Sequence, residues 1–250
     1  MRDLRGFGAL RAWVGLLALA LAPAASAQML DMDGLLVEAS AVPEPGTLRV
    51  FANGGGQSAA ADSQAAANVA GSLMWVPFRG LAGDVGAYYQ TGSSGPSARL
   101  RYQLLSQDRA GVNLALGARY KSVGFAGEGS GEVEALLALG RSWGRLDTVI
   151  NFVWGWELND PGQDAELKLL VGWRFTDNLR VGVEARAQCE IHDEDGWKGP
   201  QMLQTDIRGG PTVFWRIARP VTVQLLVGAG KPVGVAAAGV LALGAFSFDI

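Results

Sequence analysis

A single cysteine, Cys189, serves all 250 residues, so no intramolecular disulfide can staple this chain. It stands on the apolar parity of its segment and reads as packing rather than as a reactive thiol. Only one histidine, His192, is present, and no His, Cys, Asp and Glu residues stand at metal-ligand spacing, so neither a metal nor another cofactor is expected. Basic residues do not outnumber acidic ones, at 21 Lys and Arg against 24 Asp and Glu, which removes nucleic acid from the expected partners. Glycine clusters such as Asn53-Gly54-Gly55-Gly56 precede no helical pattern, so no phosphate-cradling loop is read there. The longest apolar run, Ala12 to Ala22, falls short of the roughly 20 residues that a membrane-spanning helix needs.

That run follows Arg2, Arg5 and Arg11 and precedes Pro23 and the small-residue site Ala25-Ser26-Ala27. The combination predicts a secretory signal over residues 1–27, removed before Gln28, so the mature chain works outside the cytoplasm.

What the chain does have is alternation. In LRVGVEARAQCEIH (179–192) one parity reads Leu, Val, Val, Ala, Ala, Cys, Ile and the other Arg180, Gly182, Glu184, Arg186, Gln188, Glu190, His192. In AELKLLVGWRF (165–175) the apolar set ends in Trp173 and Phe175, against Glu166, Lys168 and Arg174. RLDTVINFVWGWELND (145–160) places Leu146, Ile150, Phe152, Trp154 and Trp156 on one face and Asp147 on the other. Such segments recur to the end, at 48–54, 67–76, 83–90, 97–105, 112–121, 131–142, 146–157, 165–175, 179–191, 207–216, 221–230 and 236–248. Many are about ten residues long, the length at which a tilted strand crosses a bilayer.

Connections alternate too. Longer links (55–66, 91–96, 122–130, 158–164, 192–206, 231–235) take turns with mostly shorter ones (77–82, 106–110, 143–145, 176–178, 217–220). With that topology Trp75, Trp143, Trp173, Phe175, Trp215, Phe246 and Phe248 fall near the short-turn ends of their strands, and Tyr89, Tyr120, Trp154 and Trp156 near the long-loop ends. Amphipathic rings settle at headgroup level, so these two groups read as interface belts.

The signal site, the dyad repeats and the terminal strand GVLALGAFSF together resemble the bacterial outer-membrane β-barrel class, over about residues 47–250. Barrels of this class tend to end on an aromatic residue, whereas this chain continues past Phe248 with Asp249-Ile250. The resemblance implies an all-β fold, a transmembrane antiparallel up-and-down barrel of about 12 strands with both termini periplasmic. Its partners are outer-membrane lipid and, during biogenesis, the insertion machinery. Residues 28–46, ending in Pro43-Glu44-Pro45-Gly46, read as an N-terminal periplasmic leader or linker.

Chemistry would then reside on the inward parity. A basic sector near the outer mouth comprises Arg99, Arg101, Arg119 and Lys121, and it meets Glu132 and Glu134 on the next strand. Asp147, Glu166, Lys168 and Arg174 line the lumen further around, followed by Arg180, Glu184, Arg186 and Glu190. Opposed basic and acidic sectors suit a small passive pore or small-solute transporter for polar solutes. The same charges, paired across neighbouring strands, suit a non-conducting structural or partner-binding barrel, because twelve strands lie between a filled barrel and an open one. Inward glycines, among them Gly140, Gly155, Gly172, Gly182 and Gly210, serve curvature or leave room inside. His192, in Glu190-Ile191-His192-Asp193-Glu194, would be the centre of a loop-sited hydrolase. It matches neither the omptin nor the outer-membrane phospholipase pattern, and no enzyme is expected.

Overall fold

The computed structural model describes residues 29–59, 65–90, 93–122, 131–193, 195–197, 205–234 and 237–250; the expected signal peptide and Glu194 lie outside them. The strands are β1 (Leu48–Gln57), β2 (Ala66–Phe78), β3 (Leu81–Gln90), β4 (Ser93–Leu105), β5 (Asn113–Lys121), β6 (Glu132–Trp143) and β7 (Leu146–Glu157). They continue with β8 (Gln163–Thr176), β9 (Leu179–Asp193), the two-residue β10 (Gly196–Trp197), β11 (Thr205–Ala218), β12 (Val221–Lys231) and β13 (Gly239–Asp249). All pairings are antiparallel, and they join sequence neighbours except where β9 skips β10 to pair with β11 and where β13 returns to β1. β13 pairs with both β12 and β1, which closes a ring of twelve long strands with no free edge. Closure is what lets strands stand in lipid, because every backbone N–H and C=O then finds a partner on a neighbour.

Side-chain period decides which face is which. Along β8 the inward Asp164, Glu166, Lys168 and Leu170 are buried, while Leu167, Leu169, Val171 and Trp173 point out and are exposed. The exterior is thus a continuous apolar surface, which in water would be a liability and in lipid is solvation.

One end of the ring carries tight connections. Gly80 and Gly144 take φ of +79° and +59° in two-residue turns, a region open to glycine at little cost. Between β4 and β5 a single helical turn, α1 (Gln107–Ala110), stops at Gly111 with φ of +76°. β1 starts and β13 ends at this same end.

Strand limits differ from the sequence reading by up to four residues, most of all at the start of β4. β4 begins at Ser93, through Ser-Gly-Pro residues that read as a loop, and only positions 91 and 92 separate it from β3. Proline is tolerated here because the Pro96 carbonyl accepts from Ser122 N (3.2 Å), so its missing N–H faces the side where β5 has just ended. In the ladder Arg99 lies mid-strand between Asp84 and Arg119, and Arg101 lies between Ala82 and Gly117. β13 starts at Gly239 rather than 236.

Residues 28–46 read from the sequence as a periplasmic leader or linker, with plugging of the barrel and trailing in the periplasm both left open. The described part enters the lumen. Gly46 N donates to the Val76 carbonyl at the short-turn end (2.8 Å), and the chain then folds inside as a closed loop. Leu30 O accepts from Ser40 N (3.1 Å) and Ala41 N (3.0 Å), and Gly34 N donates to Val37 O (2.9 Å), making the turn at the tip. The missing signal is periodicity: an irregular loop has none, and its proline-rich end resembles any tether.

Candidate functional site

The inner wall binds this loop by backbone and side chain alike. Asn151 clamps Glu38 from both sides, accepting from its N–H (2.8 Å) and donating to its carbonyl (3.0 Å). Glu184 accepts from Leu36 N (2.7 Å), Gln103 from Val42 N (2.9 Å), and Gln224 donates to Asp33 O (2.8 Å). Arg49 and Arg180 donate to the carbonyls of Asp31 (2.9 Å) and Met29 (3.2 Å). Between them these groups satisfy a loop backbone that has no strand ladder of its own.

Two carboxylates of the loop are keyed into wall cations. Asp33 meets Arg99 at 2.5 Å and Arg101 at 3.0 Å; Glu38 meets Arg119 at 3.1 Å and Lys168 at 2.8 Å. Arg101 depends on the loop, since it reaches Asp33, the Ala39 carbonyl (3.5 Å) and the Met74 sulfur (3.4 Å). Residues 29–42 themselves contain three acids and no base.

Apolar contacts decide the affinity. Leu30, Val37 and Ala41 pack on Val149 and Leu170; Leu36 on Leu226, Leu241 and Leu243; Met29 and Met32 on Phe214. Burying a leucine- or methionine-sized side chain contributes roughly 1.5–3 kcal/mol, whereas a buried ion pair often nets close to zero after desolvation. Hydrophobic burial therefore supplies the hold, and the ion pairs fix the register. Gly140 belongs to the same fit, because a Cβ there would collide with the Ser40 hydroxyl. Gly182 has a different role: its Cβ would strike the backbone of β8 at Gly172, where the wall bends closely.

The remaining charges pair along the wall. Lys121 lies 3.0 Å from Glu132 and 2.5 Å from Glu134, which also pairs with Arg119. Lys168 meets Glu166 at 2.5 Å, and Asp147 lies 3.2 Å from Arg174 and 3.8 Å from Arg180. Arg186 lies 3.9 Å from Asp206, and Glu190 stands across from Asp164 in the ladder. Between Met32, Asp33, Arg49, Met74, Arg99 and Arg101 a pocket of about 10 Å³ remains, room for about one water.

The loop's acids differ in their response to acid. Burial pushes the Asp33 carboxyl up, but Arg101 and Arg99 outweigh it and hold it well below the usual range. For Asp31 removal from water wins over Arg49 and Arg216, and its carboxyl is raised. The signs oppose. Asp33's contribution to docking is present above the carboxylate range of about 4 and is lost only as pH falls far below it. Asp31 docks more easily once protonated, so its contribution grows as pH falls through its raised pKa. Acidifying from pH 7 to 4.5 should hold the loop more tightly, and Asp31→Asn should flatten the trend; limited proteolysis of residues 29–42 in the detergent-solubilised protein measures it. Faster cleavage of wild type at pH 4.5, with the protease rate normalised, would contradict the assignment.

Several partners escaped the sequence reading: Asp33, Glu38, Asn151, Gln103, Gln224 and Phe214, whose ring lies 4.7 Å under the Arg180 guanidinium. One trace of them was visible, in that Val149, Val153, Leu170, Phe214, Leu226, Leu241 and Leu243 occupy inward parity, where a water-filled lumen has no use for them.

Outside, Trp75, Trp143, Trp173, Phe175, Trp215, Phe246 and Phe248 stand exposed at the short-turn end. Tyr89, Tyr120 and Trp156 stand exposed toward the other end, with Trp154 between Phe152 and Trp156 at ring-centroid distances of 6.2 Å on each side. His192 Nδ1 lies 3.2 Å from the Pro161 carbonyl at the loop side.

No protein-family model matches the chain, and no curated protein matches it by sequence. Solved structures do match. The NanC porin superposes with a TM-score of 0.60 over 80% of this chain and 100% of its own, at 10% identity. The KdgM porin, solved in complex with disordered oligogalacturonate, gives 0.53 over 81% and 99% at 9% identity. An outer membrane channel from Pseudomonas putida F1 gives 0.52 over 84% and 97% at 11% identity. The fold is that of a bacterial outer-membrane β-barrel. At these identities the likeness is one of architecture, and it extends over nearly the whole of each neighbour.

Proposed function

We propose that the protein is a small passive outer-membrane channel for small polar solutes, kept closed by residues 29–42, with both termini on the periplasmic side. One observation carries this reading: the ring of strands is complete without the loop, so the loop occupies space that the wall encloses by itself. Lipid covers the apolar exterior, the insertion machinery assembles the ring, and the transported solute is polar. No step of this reading needs a catalytic group. The buried ion-pair network favours a second reading, a non-conducting structural barrel in which the loop is permanent filling.

Current through planar bilayers separates them. Asp33→Asn with Glu38→Gln removes the loop charges that answer Arg101, Arg99, Arg119 and Lys168. Arg101 loses its ion pair with Asp33, while Arg99, Arg119 and Lys168 keep Asp84, Glu134 and Glu166, so docking loses four ion pairs and leaves one buried cation unanswered. The channel reading expects brief, rare openings from the wild type and sustained steps from the double variant. If both proteins migrate as folded, heat-modifiable barrels and both stay silent beside a conducting control porin, the structural barrel replaces the channel.

A further inference from the structure

Glu38 sits at the boundary between the loop and the outer half of the lumen. Its Oε1 is shared by Arg119 and Lys168, while its Oε2 is enclosed without a hydrogen-bond partner. Arg119 faces both ways: it holds Glu38, yet its side chain is 24% exposed. Lys121, Arg186 and Arg208 are similarly exposed, at 22%, 20% and 21%. The carboxylates that they and Arg119 pair with, Glu132, Glu134 and Asp206, are only 0%, 1% and 8% exposed. These pairs therefore show their positive member to the solvent and bury the negative one.

We propose that Arg119 and Lys168 form a carboxylate-binding site which Glu38 occupies in the closed state, and that a small dicarboxylate entering from the long-loop end competes for it and favours release of residues 29–42. The proposal rests on the channel reading and names the class of solute that would open it. Its physical basis is exchange of like for like. Withdrawing Glu38 into water alone strips a carboxylate from two enclosed cations, whereas a solute carboxylate restores that charge and its second carboxylate lies over Lys121 or Arg186. A neutral solute offers no such replacement. The apolar contacts of Leu30, Leu36 and Val37 remain to be broken, so the ligand shifts an equilibrium and does not by itself expel the loop.

Succinate is the probe, with ionic strength matched by KCl and erythritol as the neutral control. In planar bilayers succinate should raise the fraction of time the intact protein is open about tenfold, within the usual range of coupling between two sites, and erythritol should leave it unchanged. Glu38→Gln keeps Glu134 and Glu166 beside the two cations, so the barrel retains its pairs; it should open more often than wild type without ligand and lose the response. In detergent, calorimetry should show Glu38→Gln binding succinate about tenfold more tightly than wild type, because the internal competitor is gone. Adding Arg119→Gln should abolish that gain. Tighter binding by Glu38→Gln with no current from any form would keep the site and refute the channel. Current with equal succinate binding by wild type and Glu38→Gln would keep the channel and refute the site.

Discussion

Replacing Leu169 by arginine should cost the barrel roughly 2 to 4 kcal/mol and sharply lower the amount recovered as the folded, heat-modifiable form, because the side chain points from mid-strand into hydrocarbon. Leu169 pairs with Ile150 on one side and Ala185 on the other, and its side chain is exposed on the outer face. Its neighbour Lys168 points inward, and its loss would be expected to be mild in a water-filled pore. The structure alters that expectation. Lys168 is buried and holds both Glu38 and Glu166, and removing one partner of a buried pair costs about 3–5 kcal/mol. Lys168→Leu should therefore be about as harmful as Leu169→Arg, for a different reason. The reasons are separable by a second substitution. Glu38→Gln should recover part of the loss in Lys168→Leu, since one of the abandoned carboxylates is gone, and none of the loss in Leu169→Arg. Urea titration of folding into lipid vesicles gives the four values, and equal rescue of both variants would mean that the two faces of β8 are assigned wrongly.

The barrel was legible because its physics is periodic. A strand with lipid on one side and protein on the other must alternate, so Leu167, Leu169, Val171 and Trp173 against Glu166, Lys168 and Gly172 announce both the strand and its two faces before any contact is known. Turn positions follow from where alternation stops, and most strand limits agree with the structure to within a few residues. Errors fall where local chemistry and tertiary context conflict. Ser93-Ser94-Gly95-Pro96 reads as a turn, yet it pairs with Ala87–Gln90 because the neighbouring strand extends that far. The loop in the lumen was illegible from its own residues, since MLDMDGLLVEASAV has neither helical nor strand period. What betrayed it lies on the partner surface. Leucines on the inward parity of β8, β12 and β13 make no sense against water and make good sense against Leu30 and Leu36. Charges misled in the same way: Arg99, Arg101, Arg119 and Lys121 were legible as a basic sector, but sequence spacing could not show that two of their answering carboxylates come from residues 33 and 38.

That pairing sets the outcome of neutralising the basic sector. In an open pore, changing Arg99, Arg101 and Arg119 to glutamine would simply shift ion selectivity toward cations, since ions passing within a Debye length of about 8 Å feel whichever charge remains. Here the three arginines first have structural work. Asp33 loses both of its cations, Asp84 loses Arg99, and Glu134 keeps only Lys121 while Glu38 keeps only Lys168. Asp33 and Asp84 then face burial without a cation, each a penalty of about 3–5 kcal/mol when taken alone, and less than additive because they share one network. The expected result is a folded band that converts to the unfolded one at a markedly lower temperature, together with exposure of residues 29–42 to protease. Release of the loop lets Asp33 escape into water, so the loop should become cleavable at a temperature below that at which the barrel unfolds. Adding Asp33→Asn tests the cause: it should restore docking of the loop in the triple variant, whereas in the otherwise native protein it should loosen the loop by leaving Arg101 unanswered. A substitution that reverses sign between the two backgrounds is what a shared ion pair requires, and loosening of the loop by Asp33→Asn in both would show that Asp33 holds it through contacts other than Arg99 and Arg101.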